Sequence, residues 1–450
     1  MIALPKPALP EGTPVLYEGR VVQRWRPHAS YVHLVVALLG CTLAPTTARA
    51  ADPLNSNNRP TEEEAKDLQE RGAHDEFNLL PVAGGTTDIG FGGGYFLGYD
   101  RVSLTEAPYA WNIESAGFVT FAPGRGGGIA VPYQNVYVRL DVPRFFRHIE
   151  LEVRPEYSWE TTLNYFGLGN ASSAVAPAGA PSKYFEYGRI HPEVDIDVRW
   201  RYVDHVSGRM GIRYALSWLQ VDQSSKLADD LRTGSPEVKQ LLGSTDPSGV
   251  ALFNYGLRID TRDNIVSSHS GVFDSFDLQL SPGGTSWLPH RYLEATADLR
   301  FFAPIRKPYV TLAGRLVGDL LYGDPPFYEL ARFEDTYAIG GLNGVRGVPG
   351  QRYYGKVKVL GNVELRTEIA SFHALGKKMV VGAVGFLDGG RVWADTSSHP
   401  ELDGTGIGLK YGAGGGLRLQ SGSAFVLRLD VAWSPDASPV GGYFAAGQMF

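Results

Sequence analysis

From residue 76 onward, apolar and polar residues alternate with a period of two over long runs. Val136, Val138, Leu140 and Val142 interleave with Asn135, Tyr137, Arg139 and Asp141. Ile149, Leu151, Val153, Tyr157 and Trp159 interleave with Glu150, Glu152, Arg154, Glu156 and Glu160. Val194, Ile196, Val198, Trp200 and Tyr202 do so with Glu193, Asp195, Asp197, Arg199 and Arg201, and Phe425, Leu427, Leu429, Val431 and Trp433 with Arg428 and Asp430. Successive side chains of a strand point to opposite faces, so each run has one apolar and one charged face. A soluble sandwich also alternates. Here, however, the polar faces carry clustered charges of both signs, and aromatics such as Trp159, Trp200, Tyr202, Tyr443 and Phe444 sit near strand ends. That suits a hydrated lumen inside, lipid outside and an interfacial girdle. The pattern predicts an all-β fold: a 16-stranded antiparallel transmembrane β-barrel.

The predicted strands lie near 76–83, 88–99, 111–122, 132–142, 149–160, 184–202, 208–221, 250–261, 271–281, 291–303, 308–320, 356–370, 379–389, 408–420, 423–434 and 441–450. With the first strand running outward, the outside loops are 84–87, 123–131, 161–183, 222–249, 282–290, 321–355, 390–407 and 435–440. The inside turns are 100–110, 143–148, 203–207, 262–270, 304–307, 371–378 and 421–422. The four longest connections all fall outside. Bacterial barrels show this asymmetry, and a miscounted strand would scramble it. It predicts a bacterial outer-membrane location with both termini periplasmic.

The segment ahead of the barrel reads as export machinery rather than fold. Arg24, Arg26 and His28 precede the apolar run Tyr31 to Leu39, and Ala48-Arg49-Ala50 follows. This order of charged, apolar and small residues is that of a secretory signal with an extended N-region over 1–50, cleaved after Ala50. Leu38-Leu39-Gly40-Cys41 is a rival lipoprotein signal. Residues 51–76 read as a periplasmic leader, with a short helix opened by the capping box Pro60-Thr61-Glu62-Glu63-Glu64 and stopped at Gly72. Cys41 is the only cysteine, so a chain cleaved after Ala50 holds neither disulfides nor thiolate metal sites. A net charge of −6 without a basic block argues against nucleic acid as a partner. No apolar run after residue 50 is long enough for a membrane helix, which takes about 20 residues.

The sharpest constellation lies in the sixth outside loop. Gly340-Gly341-Leu342-Asn343-Gly344-Val345-Arg346-Gly347-Val348 is followed by Arg352-Tyr353-Tyr354-Gly355, and Phe386-Leu387-Asp388-Gly389-Gly390 stands on the thirteenth predicted strand. Here the sequence resembles the BamA/TamA-type bacterial surface antigen family, which also includes two-partner secretion transporters. The resemblance implies that the sixth loop folds back into the lumen, where its arginine, Arg346, meets the acid of the strand motif, Asp388. Gly347 belongs to the same loop motif and Phe386 to the same strand motif. Val348 stands where the family usually has an aromatic; Tyr353 or Tyr354 is the candidate replacement. An arginine in a partly dehydrated lumen needs an anionic partner, and its planar fork suits a carboxylate. Glu364 and Glu368 alternate with Val363 and Leu365 and are candidate second acceptors.

Three further stretches carry the resemblance: Tyr165-Phe166-Gly167-Leu168-Gly169-Asn170, Asp260-Thr261-Arg262-Asp263 with Gly271, and Leu429-Asp430. As chemistry, Asp260, Arg262 and Asp263 read as a salt-bridged strand end. The aromatic last stretch, Tyr443-Phe444 to Phe450, resembles the targeting strand that the barrel assembly machinery reads, and a free edge there can pair by strand addition. Pro81 interrupts the first strand and removes a ladder donor, marking a weak seam. Gly90 to Gly94 lacks the Lys-Ser/Thr pair of a phosphate loop and reads as a strand needing close backbone approach. No serine sits in a nucleophile elbow, and the ten histidines lack ligand spacing. No enzyme, cofactor or metal site is therefore expected.

The full assembly factors of the family carry periplasmic (POTRA) domains ahead of the barrel, for which 51–76 has no room, so the resemblance implies a barrel-only member. The leading expectation is a role in outer-membrane protein insertion or export. Its partners would be outer-membrane lipid (lipopolysaccharide and phospholipid), the barrel assembly machinery, and a client β-barrel or secreted polypeptide. The alternatives are a loop-gated passive channel and a structural surface antigen.

Overall fold

A backbone that crosses lipid must satisfy its hydrogen bonds internally, so alternating strands survive there only as a closed cylinder. The computed structural model describes residues 73–450, apart from 103–108, 125–126, 147–148, 307–308, 334–335, 338, 375–376, 422–424 and 437–439. Ala50, Cys41 and the leader helix lie outside the described residues.

Sixteen long strands follow one another around the cylinder: β1 (His74–Thr86), β2 (Gly90–Val102), β3 (Trp111–Pro123), β4 (Tyr133–Phe146), β5 (Ile149–Asn164), β6 (Glu186–Val203), β7 (Val206–Gln220), β8 (Ser248–Asp260), β9 (Gly271–Ser281), β10 (Tyr292–Arg306), β11 (Val310–Gly323), β12 (Val357–Ala374), β13 (Lys377–Trp393), β14 (Lys410–Ser421), β15 (Phe425–Trp433) and β16 (Gly441–Ala446). Each pairs antiparallel with its neighbours, and β16 returns to β1. The alternation works as the sequence predicts. Val136 and Val138 face outward while Asp141 is buried inside, and Leu387 faces outward while Phe386 and Asp388 are buried. Exposed aromatics ring both ends. Phe145, Phe146, Tyr202, Tyr309 and Phe372 lie toward the short turns, and Trp218, Tyr322 and Trp433 toward the long loops.

The structure differs from the sequence reading at several boundaries. β1 starts at His74, inside the stretch read as leader. β13 runs on through Gly389-Gly390 to the pair Val357↔Trp393, four residues past its predicted end, and at their other ends β12 and β13 extend to the pair Ala374↔Lys377. The last strand ends at Ala446, not Phe450. Gly447 adopts φ +85°, a left-handed conformation that favours glycine, and residues 448–450 leave the sheet. The loop 222–249 contains two short helices, α1 (Lys226–Thr233) and α2 (Pro236–Leu242), capped by Ser225 and Ser235.

At the long-loop end, the loops pack into an apolar cap. Leu227, Leu241 and Leu242 from the helices join Tyr165 and Leu168, and Phe327, Leu330 and Tyr354 come from the sixth loop. At β2, a Cβ on Gly92 or Gly94 would lie 1.8 Å from a carbonyl oxygen of β3, which explains the glycine run by close backbone approach.

Leu316 is 51% exposed, on the outer face near the middle of β11. Leu316→Arg is expected to destabilise the barrel by about 2–4 kcal/mol in a bilayer. Urea titration in vesicles reads this out, and a neutral result would mean that this face does not meet lipid.

Candidate functional site

The sixth loop leaves β11, forms a 3-10 turn at Phe327–Ala331, and turns back inside the barrel before entering β12. At its tip Gly341 N–H donates to Val348 O at 2.8 Å and Val348 N–H to Val345 O at 3.2 Å, closing a tight turn. Gly347 has φ +93°, and a Cβ there would come within 2.9 Å of the Trp433 carbonyl carbon. Conformation and space thus both demand glycine after the arginine.

Arg346 is 0% exposed. Its Nε and Nη2 donate to Asp388 Oδ2 and Oδ1 at 2.8 and 3.0 Å, a two-pronged contact, and its backbone N–H reaches the same carboxylate at 3.1 Å. Nη1 donates to Glu364 Oε1 at 2.7 Å and Asp430 Oδ2 at 3.1 Å. The guanidinium lies over the Phe386 ring, 3.4 Å from its centroid. The structure therefore brings Arg346, Gly347, Asp388, Phe386 and Glu364 together. It does not bring Glu368. That residue sits four positions further along β12, about 13 Å at strand rise, and its Oε1 meets His269 Nε2 at 3.1 Å.

A second ring of charge surrounds the first. Arg366 Nε donates to Glu364 at 2.8 Å, Arg418 Nη1 to Asp430 at 2.5 Å, and Arg428 Nη2 to Asn343 Oδ1 at 3.3 Å. Asn362 bridges Gly344 O and Asp388 Oδ1, and Arg315 donates to Asn343 O at 3.2 Å. Val348 lies in an apolar cluster with Val345, Ile339, Phe333 and Tyr353, so Tyr353 supplies an aromatic beside it. Tyr354 instead belongs to the cap, its hydroxyl donating to Asn164 O at 2.6 Å. The 165–170 stretch meets the same loop: Gly169 N–H donates to Tyr354 O at 2.8 Å. Asp260 holds Arg262 by both carboxylate oxygens, a salt-bridged strand end.

The loop also touches both sides of the β1–β16 junction. Gly347 N–H donates to the Tyr443 hydroxyl of β16 at 2.8 Å. The Gly350 backbone bonds Asp88, in the turn between β1 and β2. Burial beneath the loop pushes the Asp88 carboxyl up to about 6, against that hydrogen bond.

At the junction itself, β1 pairs with β2 along its whole length, from His74↔Val102 to Thr86↔Gly90. Among the described residues it pairs with β16 at Gly85↔Phe444 and Thr86↔Tyr443 alone. Just beyond, Thr87 N–H donates to Gly442 O at 3.1 Å. Pro81 shares the parity of Thr87, so the donor it lacks is one that would face β16. Phe450 is not on this edge; it lies inside the barrel against Phe302 and Ala313.

The sequence reading missed Asp430, Tyr443 and Asp88 as neighbours of the loop tip. Asp430 and Tyr443 carry a signal, since each alternates with outward or sheet-edge neighbours. Asp88 carries none, because its contact depends on the loop's path.

Residues 153–450 match the family model described as the Omp85 superfamily domain. Among solved structures, the chain resembles BamA from Haemophilus ducreyi lacking POTRA domains 1-3, at 14% identity and a TM-score of 0.54, over 83% of this chain and 70% of that one. It also resembles CdiB from Escherichia coli, at 13% identity and a TM-score of 0.53, over 85% of this chain and 69% of that one. At such identities the likeness is one of fold. No curated protein sequence matches.

Arg346→Ala removes one partner from a buried charge cluster and is expected to cost about 3–5 kcal/mol. The urea midpoint of the refolded barrel checks this; an unshifted midpoint would mean that water screens the cluster. For Asp88 the folded carboxyl binds its proton more tightly than the unfolded one, with an ordinary value of 3.8. Its contribution to holding the loop is thus full below about pH 4 and is lost as pH rises through about 6. Proteolysis of the sixth loop is expected to quicken across that range, and Asp88→Asn is expected to flatten the dependence.

Proposed function

The chain belongs to the Omp85 superfamily and is a β-barrel of the bacterial outer membrane, and from that premise we propose that it inserts or exports polypeptides by opening between β1 and β16. The observation that carries this reading is the junction's two-pair register among the described residues, beside a neighbour, β1–β2, paired throughout. Among the described residues, the ladder from β1 to β16 holds only Gly85 and Thr86 of β1. A sheet edge where pairing is so short is a template for an incoming strand. In lipid its open backbone groups also favour a locally thinned or hydrated bilayer. BamA and CdiB share the fold, and a client β-barrel or secreted polypeptide is the partner this edge suits. Long loops outside and short turns inside, the arrangement of bacterial barrels generally, support a periplasmic position for His74 and Ala446. There the barrel assembly machinery would meet the chain.

The sixth loop then acts as an internal strap. It holds β16 through Tyr443 and the β1–β2 turn through Asp88, so opening the junction means surrendering one of those contacts. Its anchor, Arg346, sits on β12, β13 and β15. The loop can therefore release one side of the junction while remaining attached to the wall. A loop-gated channel is the competing reading, and the packing of the sixth loop into the apolar cap disfavours it, because a moving gate would have to expose Phe327, Leu330 and Tyr354 to water.

A disulfide across the junction tests the proposal. A Cβ on Gly442 would lie 3.6 Å from Thr87 Cγ2, within reach of a bridge. In Thr87→Cys/Gly442→Cys, oxidation is expected to abolish assisted folding of an unfolded outer-membrane barrel protein into vesicles, and reduction to restore it. An oxidised barrel as active as the reduced one would falsify the seam.

A further inference from the structure

The four residues after β16 occupy a site inside the barrel that is built for a peptide. Gly447 N–H donates to Val426 O at 2.8 Å, and its positive φ turns the chain away from β1. Gln448 Oε1 accepts from Arg418 Nε at 3.0 Å. Met449 and Phe450 pack on Phe302 of β10 and Ala313 of β11, each 7% exposed. The Phe450 and Phe302 rings lie 6.4 Å apart, centroid to centroid. The Arg366 guanidinium lies 5.0 Å from the Phe450 ring and 5.5 Å from the Phe302 ring. Arg366 Nη2 also donates to Phe450 O at 2.9 Å. Two arginines thus read an amide and a backbone oxygen, while a ring and a small side chain form the seat for an aromatic.

The seat belongs to the far wall, β10 to β12, not to the strands that flank β16. Phe302, Ala313 and Arg366 are placed by their own ladders, Phe302↔Ala313 and Ala313↔Glu364, without help from residues 447–450. Arg366 is further held by Glu364 at 2.8 Å. A receptor set by independent walls persists when its occupant leaves. The occupant is light: four residues on a glycine turn whose added Cβ would meet nothing within 4 Å. It also leaves space beside it, a cavity of about 40 Å³ lined in part by Arg366, Arg418, Gln420 and Gln448.

The geometry points to an exchangeable peptide-binding site: residues 447–450 are its self-ligand, and a polypeptide segment carrying an aromatic residue takes their place. Exchange would pull residues 447–450 out of the lumen, beside the short ladder between β1 and β16. The binding site does not require the junction to open, so its test and the disulfide test fail separately.

The probe is a fluorescent decapeptide with the sequence of residues 441–450, added to the full chain in detergent. Phe450→Ala is expected to bind it about tenfold more tightly than the native chain, since the self-ligand competes less. Adding Phe302→Ala is expected to remove that gain, as is replacing the peptide's last phenylalanine by alanine. A second measurement leaves the self-ligand's ring intact. With an environment-sensitive dye on Met449→Cys, saturating peptide is expected to move the dye from a buried to a wet signal. Equal binding by the native and Phe450→Ala chains, binding indifferent to Phe302, or a dye signal unmoved by peptide overturns the proposal.

Discussion

A guanidinium keeps its charge in a protein interior, so a fully buried one dictates what surrounds it. Arg346 reaches three carboxylates on three strands, and two of those, Glu364 and Asp430, are shared with Arg366 and Arg418. At a separation of 4 Å, one such pair is worth about 4 kcal/mol at the effective dielectric of a protein. That attraction offsets the cost of bringing the loop tip out of water. It also fits the tip's backbone: Gly347, next to Arg346, takes a positive φ, and the side chain and N–H of Arg346 meet one acid. Because the acids are shared, the cluster behaves as a lattice, and a change at one member shifts the balance at the next.

The lattice and the junction are opposites in design. Around most of the wall, ladders run for most of a strand and inward charges pair with neighbours, as Arg213 does with Asp195 and Arg209 with Asp277. Between β1 and β16 the ladder is short and the last strand has only six residues. The loop is anchored on β12, β13 and β15, and among the described residues the shortest ladder between neighbouring strands of the cylinder is that of β1 with β16.

Most of the architecture was legible because lipid and lumen impose period two on every strand. Boundaries were less so. The strand placed at 379–389 runs on to Trp393, because a strand inside a ladder tolerates glycine when its partner continues. The stretch after Ala446 looked like more strand, yet one glycine redirects it. At the site, parity was enough to place Phe386 and Asp388 on one face, and the loop motif named Arg346. Parity could not choose between Glu364 and Glu368, because both face inward; only the depth reached by the loop decides. Asp88 and Tyr443 join the loop through closure of the cylinder, a property of all sixteen strands together.

The apolar cap has one more consequence. Its side chains come from three loops, those after β5, β7 and β11, and each buries apolar surface of the others. Lifting one loop therefore wets the other two, so the three share one cost of opening.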